Sequence, residues 1–389
     1  MLEIIGKYNR ATVFLDYVED EVTKQIYNFL NNPAFANSKI RIMPDAHAGS
    51  GSCIGFTMTM NDYIIPNVIG VDIGCGVDCF KLGKINADDK LLSGLDNYIR
   101  RHIPNGFNNN QKIVAEFEGD HLKFDDEIKD VCDVVENKKG ENLSASMVLK
   151  SIGSLGGGNH FIELNKDSQD DLWLTVHSGS RNFGLQVANY HQRLAKEYVK
   201  NEYNGASAYQ GLEYLKVGTA QADSYIKCMQ TAQEMAVLNR ATIAERIINN
   251  FFCIDFKNCS QIVTTHNYIN FSDKIIRKGA IASYLGEKII IPLNMRDGSI
   301  ICEGKANANW NYSAPHGAGR ILGRKQAKKQ LTLNEFQDSM KDVWSTSVNE
   351  KTLDESPMAY KNKKLILENI GDTANALEII KPIYNFKAD

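Results

Sequence analysis

Residues 67–79 read NVIGVDIGCGVDC, and few backbones accommodate such a run. Valine and isoleucine favour an extended strand. The glycines at Gly70, Gly74 and Gly76 break a plain strand and mark bends or the close approach of another backbone. Among them stand a carboxylate, Asp72, and a thiol, Cys75, three positions apart. Two side chains able to hold a metal ion on one turn can point into one site. A buried structural turn would carry the same letters, so any further ligands must come from elsewhere in the chain.

Composition narrows what that site can serve. The chain has 389 residues, 43% hydrophobic and 23% charged, which fits a globular protein of one large domain or two smaller ones. A net charge of -3 supplies no global basic field, so any RNA-binding surface has to be local. The opening MLEIIGKYNRATVFLDY lacks the apolar core of a secretory signal. No apolar run approaches the ~20 residues of a membrane span, so no membrane partner is expected. The eight cysteines, at 53, 75, 79, 132, 228, 253, 259 and 302, are too sparse for a disulfide framework. Reduced thiols in a cytoplasmic protein are the expectation, most of them small core residues.

Residues 18–30 read as a helix and 53–60 as a strand. The stretch 105–145 is the most polar and reads as an exposed excursion. Residues 173–177, WLTVH, read as a short buried strand ending in a histidine. Apolar residues recur at three and four across 218–252, which predicts the longest helix. Further strands are expected at 262–266, 288–293 and 299–302, and a basic helix start at 319–330. Strands and helices mix without strict alternation, which indicates an α+β or irregular layered fold. No composition shift marks a domain boundary, so one domain over 1–389 is expected.

Four of the eight histidines keep unusual local company. In GSLGGGNHFIEL, 153–164, four glycines precede Asn159 and His160. Such turns expose backbone N–H groups to phosphate, although the Lys-Ser/Thr ending of a P-loop is missing. A hairpin with a hydrogen-bonded histidine is the plainer alternative. In LTVHSGSRNFG, 174–184, His177 ends a strand, and the hydroxyl-rich turn that follows is closed by Arg181. This suits an anion, or is an ordinary strand-to-helix turn. In IVTTHNYI, 262–269, His266 follows a β-branched strand and can reach a cleft or cap a core. In YSAPHGAGR, 312–320, His316 is flanked by small residues and followed by Arg320. A neutral imidazole nitrogen can attack phosphorus where a cation stabilises the developing charge. A plain Pro-Gly turn would look alike.

Taken together, Asp72, Cys75, His160, His177 and His266 make a mixed O, S and N donor set that exceeds one tetrahedral site. A two-metal centre follows as an expectation. Softness suits zinc or iron, and a carboxylate with imidazoles also admits manganese. His102, His121 and His191 sit among charged or helical residues and read as surface or core histidines.

The order of these motifs resembles that of the RtcB-type RNA-splicing ligases. The likeness runs collinearly from MPDAHAGSGSCIG at 43–55 through GVDIGCGV, GSLGGGNHFIEL, VHSGSR, AVLNR at 236–240, THN, RKGA at 277–280 and SAPHGAGR, to SPMAYK at 356–361 and NFKA at 385–388. It implies an α+β domain with a central metal-binding cleft. The activity it implies joins RNA 3′-phosphate or 2′,3′-cyclic phosphate ends to 5′-hydroxyl ends, using GTP and two manganese ions. Carried over by motif, Asp72, Cys75, His160, His177 and His266 would be the metal ligands, with Cys75 bridging both ions. His316, in His-Gly-Ala-Gly-Arg with Gly317, Ala318 and Gly319, would be the nucleophile that takes GMP. Asn159, Phe161, Ile162 and Glu163, together with His160, His266 and Asn267, would line the guanylate or phosphate site. Pro292, Leu293, Asn294 and Met295, with Ser299, would form the nucleotide loop, and Tyr360 and Lys387 would contact guanine.

The chain departs from the family pattern at Leu293 and Asn294, where Gly-Ser is usual, at IPNVIG before Asp72, and at Gly323, where serine is common. These changes leave the metal and nucleophile positions intact. RNA would be met by a local basic strip of Arg181, Arg277, Lys278, Arg320, Arg324 and Lys325, and an activator protein is a further conceivable partner. Two rival readings are a metal-dependent phosphodiesterase or phosphatase acting on RNA ends without ligation, and a non-catalytic RNA-binding partner. The nucleophile His316 favours the ligase over the first, and the complete ligand set speaks against the second.

Overall fold

The structure is a computed structural model that describes residues 1–114, 121–204 and 208–388, with the side chains of 121–123 left out. Its axis is the 31-residue helix Ala220–Asn250, about 46 Å long. The helix is capped by Thr219, whose hydroxyl accepts from Ala222 N. Its first half buries Tyr225, Met229, Ala232 and Met235 in one apolar cluster. Its last turns bury Ile243, Ala244, Ile247 and Ile248 in a second. Two buried polar residues, Asn239 and Arg240, lie between these halves.

Seven antiparallel strands form the larger sheet, in the order Gln261–Thr265, Gly76–Gly83, Leu172–Ser178, Phe161–Lys166, Ala374–Phe386, Gly298–Gly304 and Lys288–Asn294. The sheet curls until its edge strands lie near one another, so that it nearly closes. Strand alternation explains the filling. Val77 and Cys79 face inward from one strand and meet Trp173, Ile262, Ile290, Ile301 and Ile380 from five others. Phe80 and Leu82, of opposite parity, and Leu174 and Val176 face outward onto the cluster shared with the long helix.

The six-stranded sheet runs Leu2–Ile5, Arg10–Val13, Ile40–His47, Ile54–Thr59, Ile275–Lys278 and Asn267–Asn270. The chain passes straight from the larger sheet at Thr265 through His266 into the smaller at Asn267, so His266 sits at their junction. A two-stranded ladder, Ala280–Ala282 with Ser313–Pro315, places His316 beside that junction.

The helix expected at 18–30 is Asp20–Leu30, and the strands expected at 53–60, 173–177, 262–266, 288–293 and 299–302 are present. Three expectations need correction. The stretch 67–79 is no interrupted strand: Pro66–Ile69 is a helical turn, 70–75 is a loop, and the strand begins at Gly76. The polar stretch 105–145 is not simply an excursion. It carries the helix His121–Val134, whose Ile128, Val131 and Cys132 are buried in the first cluster. Residues 115–120 of that stretch lie outside the described ones. The basic helix is shorter than 319–330, because Gly319 and Gly323 hold the chain in a turn until Arg324–Gln330.

Candidate active site

Four neighbouring strands of the larger sheet end at the same place. In register, Gly76 faces both Ser178 and Thr265, and Phe161 faces His177. The residues at these ends are therefore Cys75, His177, His160 and His266, drawn from segments far apart in the chain. The turn into Cys75 explains the glycines of the opening motif. Gly74 has φ 71, and a Cβ there would stand 2.7 Å from the backbone of Gln233 on the long helix. Gly179 serves the same end by proximity, since a Cβ there would lie 2.1 Å from a carboxylate oxygen of Asp72.

Cys75 Sγ lies 3.4 Å from His160 Nε2 and 3.3 Å from His177 Nε2. Two donors held about 2.0–2.3 Å from one tetrahedral cation stand about 3.3–3.8 Å apart, so the spacing fits a shared ion. The three donor atoms all lie within 4.8 Å of one another. Asp72 Oδ2 accepts from His160 Nε2 at 2.9 Å. His177 donates from Nδ1 to the Asn159 carbonyl at 3.1 Å, which leaves the Nε2 lone pair toward the thiol. His266 packs edge-on against His177, with ring centroids 5.2 Å apart. Two buried ring nitrogens, His160 Nδ1 and His266 Nδ1, have no hydrogen-bond partner among the described residues.

Burial raises the Cys75 thiol well above its usual range, and Asp72 adds to this. Burial likewise pushes His177 and His266 well down. Burial also works against ionisation of Asp72, but the His160 hydrogen bond and charge outweigh it, and its pKa is lowered. His177 and His266 are thus held neutral, beside a proton-bearing thiol and one carboxylate. A cation would displace the thiol proton and use these lone pairs.

The cluster underlies a cavity of about 640 Å³, within the range of small-ligand sites. His177, His266 and His316 line it, with Asn159, Phe161, Glu163, Tyr360, Lys387, the run 292–295 and the run 317–319. His316 lies with its ring centroid 4.8 Å from that of His266. Its Nδ1 donates to Asp45 Oδ2 at 2.6 Å, and the same oxygen accepts the backbone N–H groups of His316 and Gly317. Asp45 is fully buried. With Nδ1 so engaged, Nε2 is the nitrogen with a free lone pair.

Of the residues expected around the nucleotide, three have other surroundings. Ile162 alternates away from Phe161 and Glu163 into the apolar cluster with Leu164 and Leu174. Asn267 holds the backbone, donating to the Asp72 carbonyl at 3.1 Å and accepting from Gly279 N at 2.9 Å. Ser299 is fully buried, with an unpartnered hydroxyl. The departures at 293 and 294 have local reasons. Leu293 is buried among Ile281, Ile291 and Ile300, and the Asn294 side-chain oxygen accepts from Arg296 N and Asp297 N to build the hairpin turn.

Of the proposed basic strip only Arg324 and Lys325 are exposed. Arg277 is buried on Asp273 at 2.7 Å, and Lys278 is buried on the carbonyls of Ser50 and Asn67. Arg181 is half-buried on Ser154 and Gly106. Arg320 and Arg324 both pair with Glu355, at 3.1 and 2.6 Å, and Lys325 alone of the six is exposed without a recorded ion pair. Glu355 and the carbonyls of Ser50 and Asn67 are distant in sequence from the side chains they hold and leave no local signal.

Sequence reasoning missed Asp45, His47 and Glu355. Asp45 and His47 sit in the quoted MPDAHAGS motif, whose order could have flagged them. His47 lines the cavity and donates from Nδ1 to the Asp45 carbonyl, and burial lowers its pKa to about 4. Glu355 is 2% exposed and takes Lys387 at 3.0 Å and the Tyr360 hydroxyl at 2.6 Å besides both arginines. Burial opposes its charge, yet Lys387, Arg324 and Arg320 prevail and hold the carboxyl well below the usual range. Breaking such a buried pair costs about 3–5 kcal/mol. Glu355→Gln is therefore expected to lower the unfolding free energy at neutral pH by about 3 kcal/mol in a denaturant titration. A depressed folded pKa stabilises above the free value of about 4.3 and loses that contribution as pH falls through the folded value. The gap between parent and variant should accordingly close in acid.

An imidazole anchored on a buried carboxylate, beside a thiol and imidazole cluster in a cavity of about 640 Å³, is an arrangement suited to catalysis. Comparison with known proteins agrees. Residues 25–388 match the family model described as tRNA-splicing ligase RtcB. The RNA-splicing ligase RtcB of Escherichia coli K12 is 30% identical over 387 residues, covering 94% of each chain. A second Escherichia coli protein, RNA-splicing ligase RtcB1, is also 30% identical, with 94% of each chain covered. The tRNA-splicing ligase RtcB of Methanococcus maripaludis is 26% identical, covering 98% of this chain and 94% of its own. The chain thus belongs to the RtcB family of RNA-splicing ligases and is an enzyme of that family. Among the described residues no helix is long and apolar enough to cross a membrane.

Proposed function

We propose that this enzyme joins RNA 3′-phosphate or 2′,3′-cyclic phosphate ends to 5′-hydroxyl ends, with GTP and two manganese ions, through GMP carried on His316. We read residues 1–389 as one domain for this purpose. The observation that carries the reading is His316 itself, with Nδ1 anchored on buried Asp45 and Nε2 left free in the cavity.

The chain's own residues account for the steps. The Nε2 lone pair bonds to the α-phosphorus of GTP, and pyrophosphate departs. Asp45 stabilises the positive charge that develops on the ring. An oxygen of the RNA 3′-phosphate then takes the GMP group, and the N–P bond breaks. The 5′-hydroxyl oxygen attacks the activated 3′-phosphorus, its proton is lost, and GMP leaves. A 2′,3′-cyclic end is first opened by water. Asp72, Cys75, His160, His177 and His266 would hold the ions, and the ions would supply charge neutralisation for the phosphates. Lys387 and Tyr360, fixed by Glu355, and Glu163, whose pKa burial raises to about 7, line the same cavity and offer polar groups to the base.

The test mixes a 3′-phosphate strand and a 5′-hydroxyl strand with GTP and manganese. A longer product that carries the 3′-phosphate into the new linkage, with GMP released, supports the proposal. Shortened or dephosphorylated strands without joined product, across GTP and metal concentrations, would favour the hydrolase instead.

A further inference from the structure

The motif AVLNR at 236–240 has no part in the chemistry above, yet its last two residues are fully buried at the middle of the long helix. Cys75 and His160 stand on loops with no ladder of their own to hold them, and His177 is the last residue but one of its strand, just before the turn at Gly179. Asn239 spends its whole hydrogen-bonding capacity there. Its side-chain oxygen accepts from Gly153 N at 2.8 Å and Ser154 N at 3.1 Å, where the glycine-rich loop to His160 begins. Its Nδ2 donates to Ser178 Oγ and the Gly179 carbonyl, both at 3.0 Å, directly after His177. Arg240 holds the backbone on the other side. Its Nη1 donates to the Gly74 carbonyl at 2.9 Å, directly before Cys75, and to the Ser178 carbonyl at 3.2 Å. Its Nε is fixed by buried Asp78 at 2.7 Å.

We infer that Asn239 and Arg240 are positioning residues that set the spacing of Cys75, His160 and His177, and so the affinity of the cluster for a divalent ion. The inference rests on the reading of those three as ligands. It follows from where the bonds end: two consecutive helix residues tie the segments that carry all three donors to one rigid element. A slip of one loop relative to another would open the spacings of 3.3 and 3.4 Å at the thiol. Loss of groups that orient ligands typically lowers metal affinity by about 10–100-fold.

The test is manganese binding by the full chain, read by calorimetry and by the electron paramagnetic resonance of the bound ion, beside thermal unfolding without metal. Asn239→Asp keeps the shape and the acceptor but loses both donors. Asn32→Asp is the comparison, because Asn32 is as buried and donates to the Leu212 carbonyl away from the site. The expected result is an affinity at least about tenfold weaker and an altered resonance for Asn239→Asp. Asn32→Asp should unfold earlier yet bind manganese like the parent. Should Asn239→Asp not fold, Arg240→Lys, which keeps the charge and loses the fork, is read by the same criterion. Parent-like affinity in the folded variant, or an equal loss in Asn32→Asp, overturns the inference while leaving the ligand reading intact. A parent that binds no manganese overturns both.

Discussion

His316→Ala protein incubated with labelled GTP and manganese is expected to carry no covalent GMP and to ligate nothing, while its manganese content stays that of the parent. The imidazole is a potential nucleophile in the cavity whose Nδ1 is engaged by a buried carboxylate. Removing it removes the lone pair, and among the described residues no other side chain combines that anchoring with that place. His47 is the nearest rival, with its ring centroid 6.4 Å from that of His316, but its Nδ1 rests on a carbonyl and not on a carboxylate. The adduct in the parent should be a phosphoramidate, stable to base and labile to acid, and intact mass measurement reads it directly. Asp45→Asn should behave as a weaker version. An amide cannot balance the imidazolium charge and can present a donor to Nδ1, favouring the wrong tautomer. In the serine-protease triad such a change costs about 10⁴-fold. Labelling of His316→Ala at the parent's level would assign the nucleophile elsewhere.

Cys75→Ala is expected to give the largest loss of metal. The thiol is 3% exposed and touches two imidazole nitrogens at bonding distance for a shared ion. Once deprotonated it is the softest and most compact charge in the set, and alanine leaves a void lined by nitrogen atoms. Substitution of groups that only orient a ligand already weakens metal sites about 10–100-fold, so loss of the ligand itself should exceed that. Elemental analysis of the purified chain, after dialysis against dilute manganese, measures it. Two ions per chain retained in the variant would rule out this ligand set. A stable apo fold is expected, because the thiol sits at the sheet end and the neighbouring apolar clusters do not depend on it.

Much of this site can be read in the linear chain because its chemistry is local. Glycine beside a ligand, a histidine closing a β-branched strand and small residues after Pro315 each describe one loop end, and the loops formed where those signals stood. The long helix was legible for the same reason, since its periodicity lies within one segment. What each side chain meets was less legible. Ile162 stood inside a functional motif but obeyed strand alternation and faced the core. Arg277, Arg320 and Arg324 resemble an RNA-binding strip in the linear chain, whereas in the fold Asp273 and Glu355 stand against them.

By itself the sequence determined the donor types, the turns that carry them and the strands behind those turns. Backbone conformation and side-chain chemistry are properties of a few adjacent residues. Only the tertiary structure decided that four strand ends converge, that Asp45 holds a histidine 271 residues away, and that Asn239 ties two loops together. Those pairings depend on sheet register and on burial of charge, whose energies exist only once distant segments have excluded water between them.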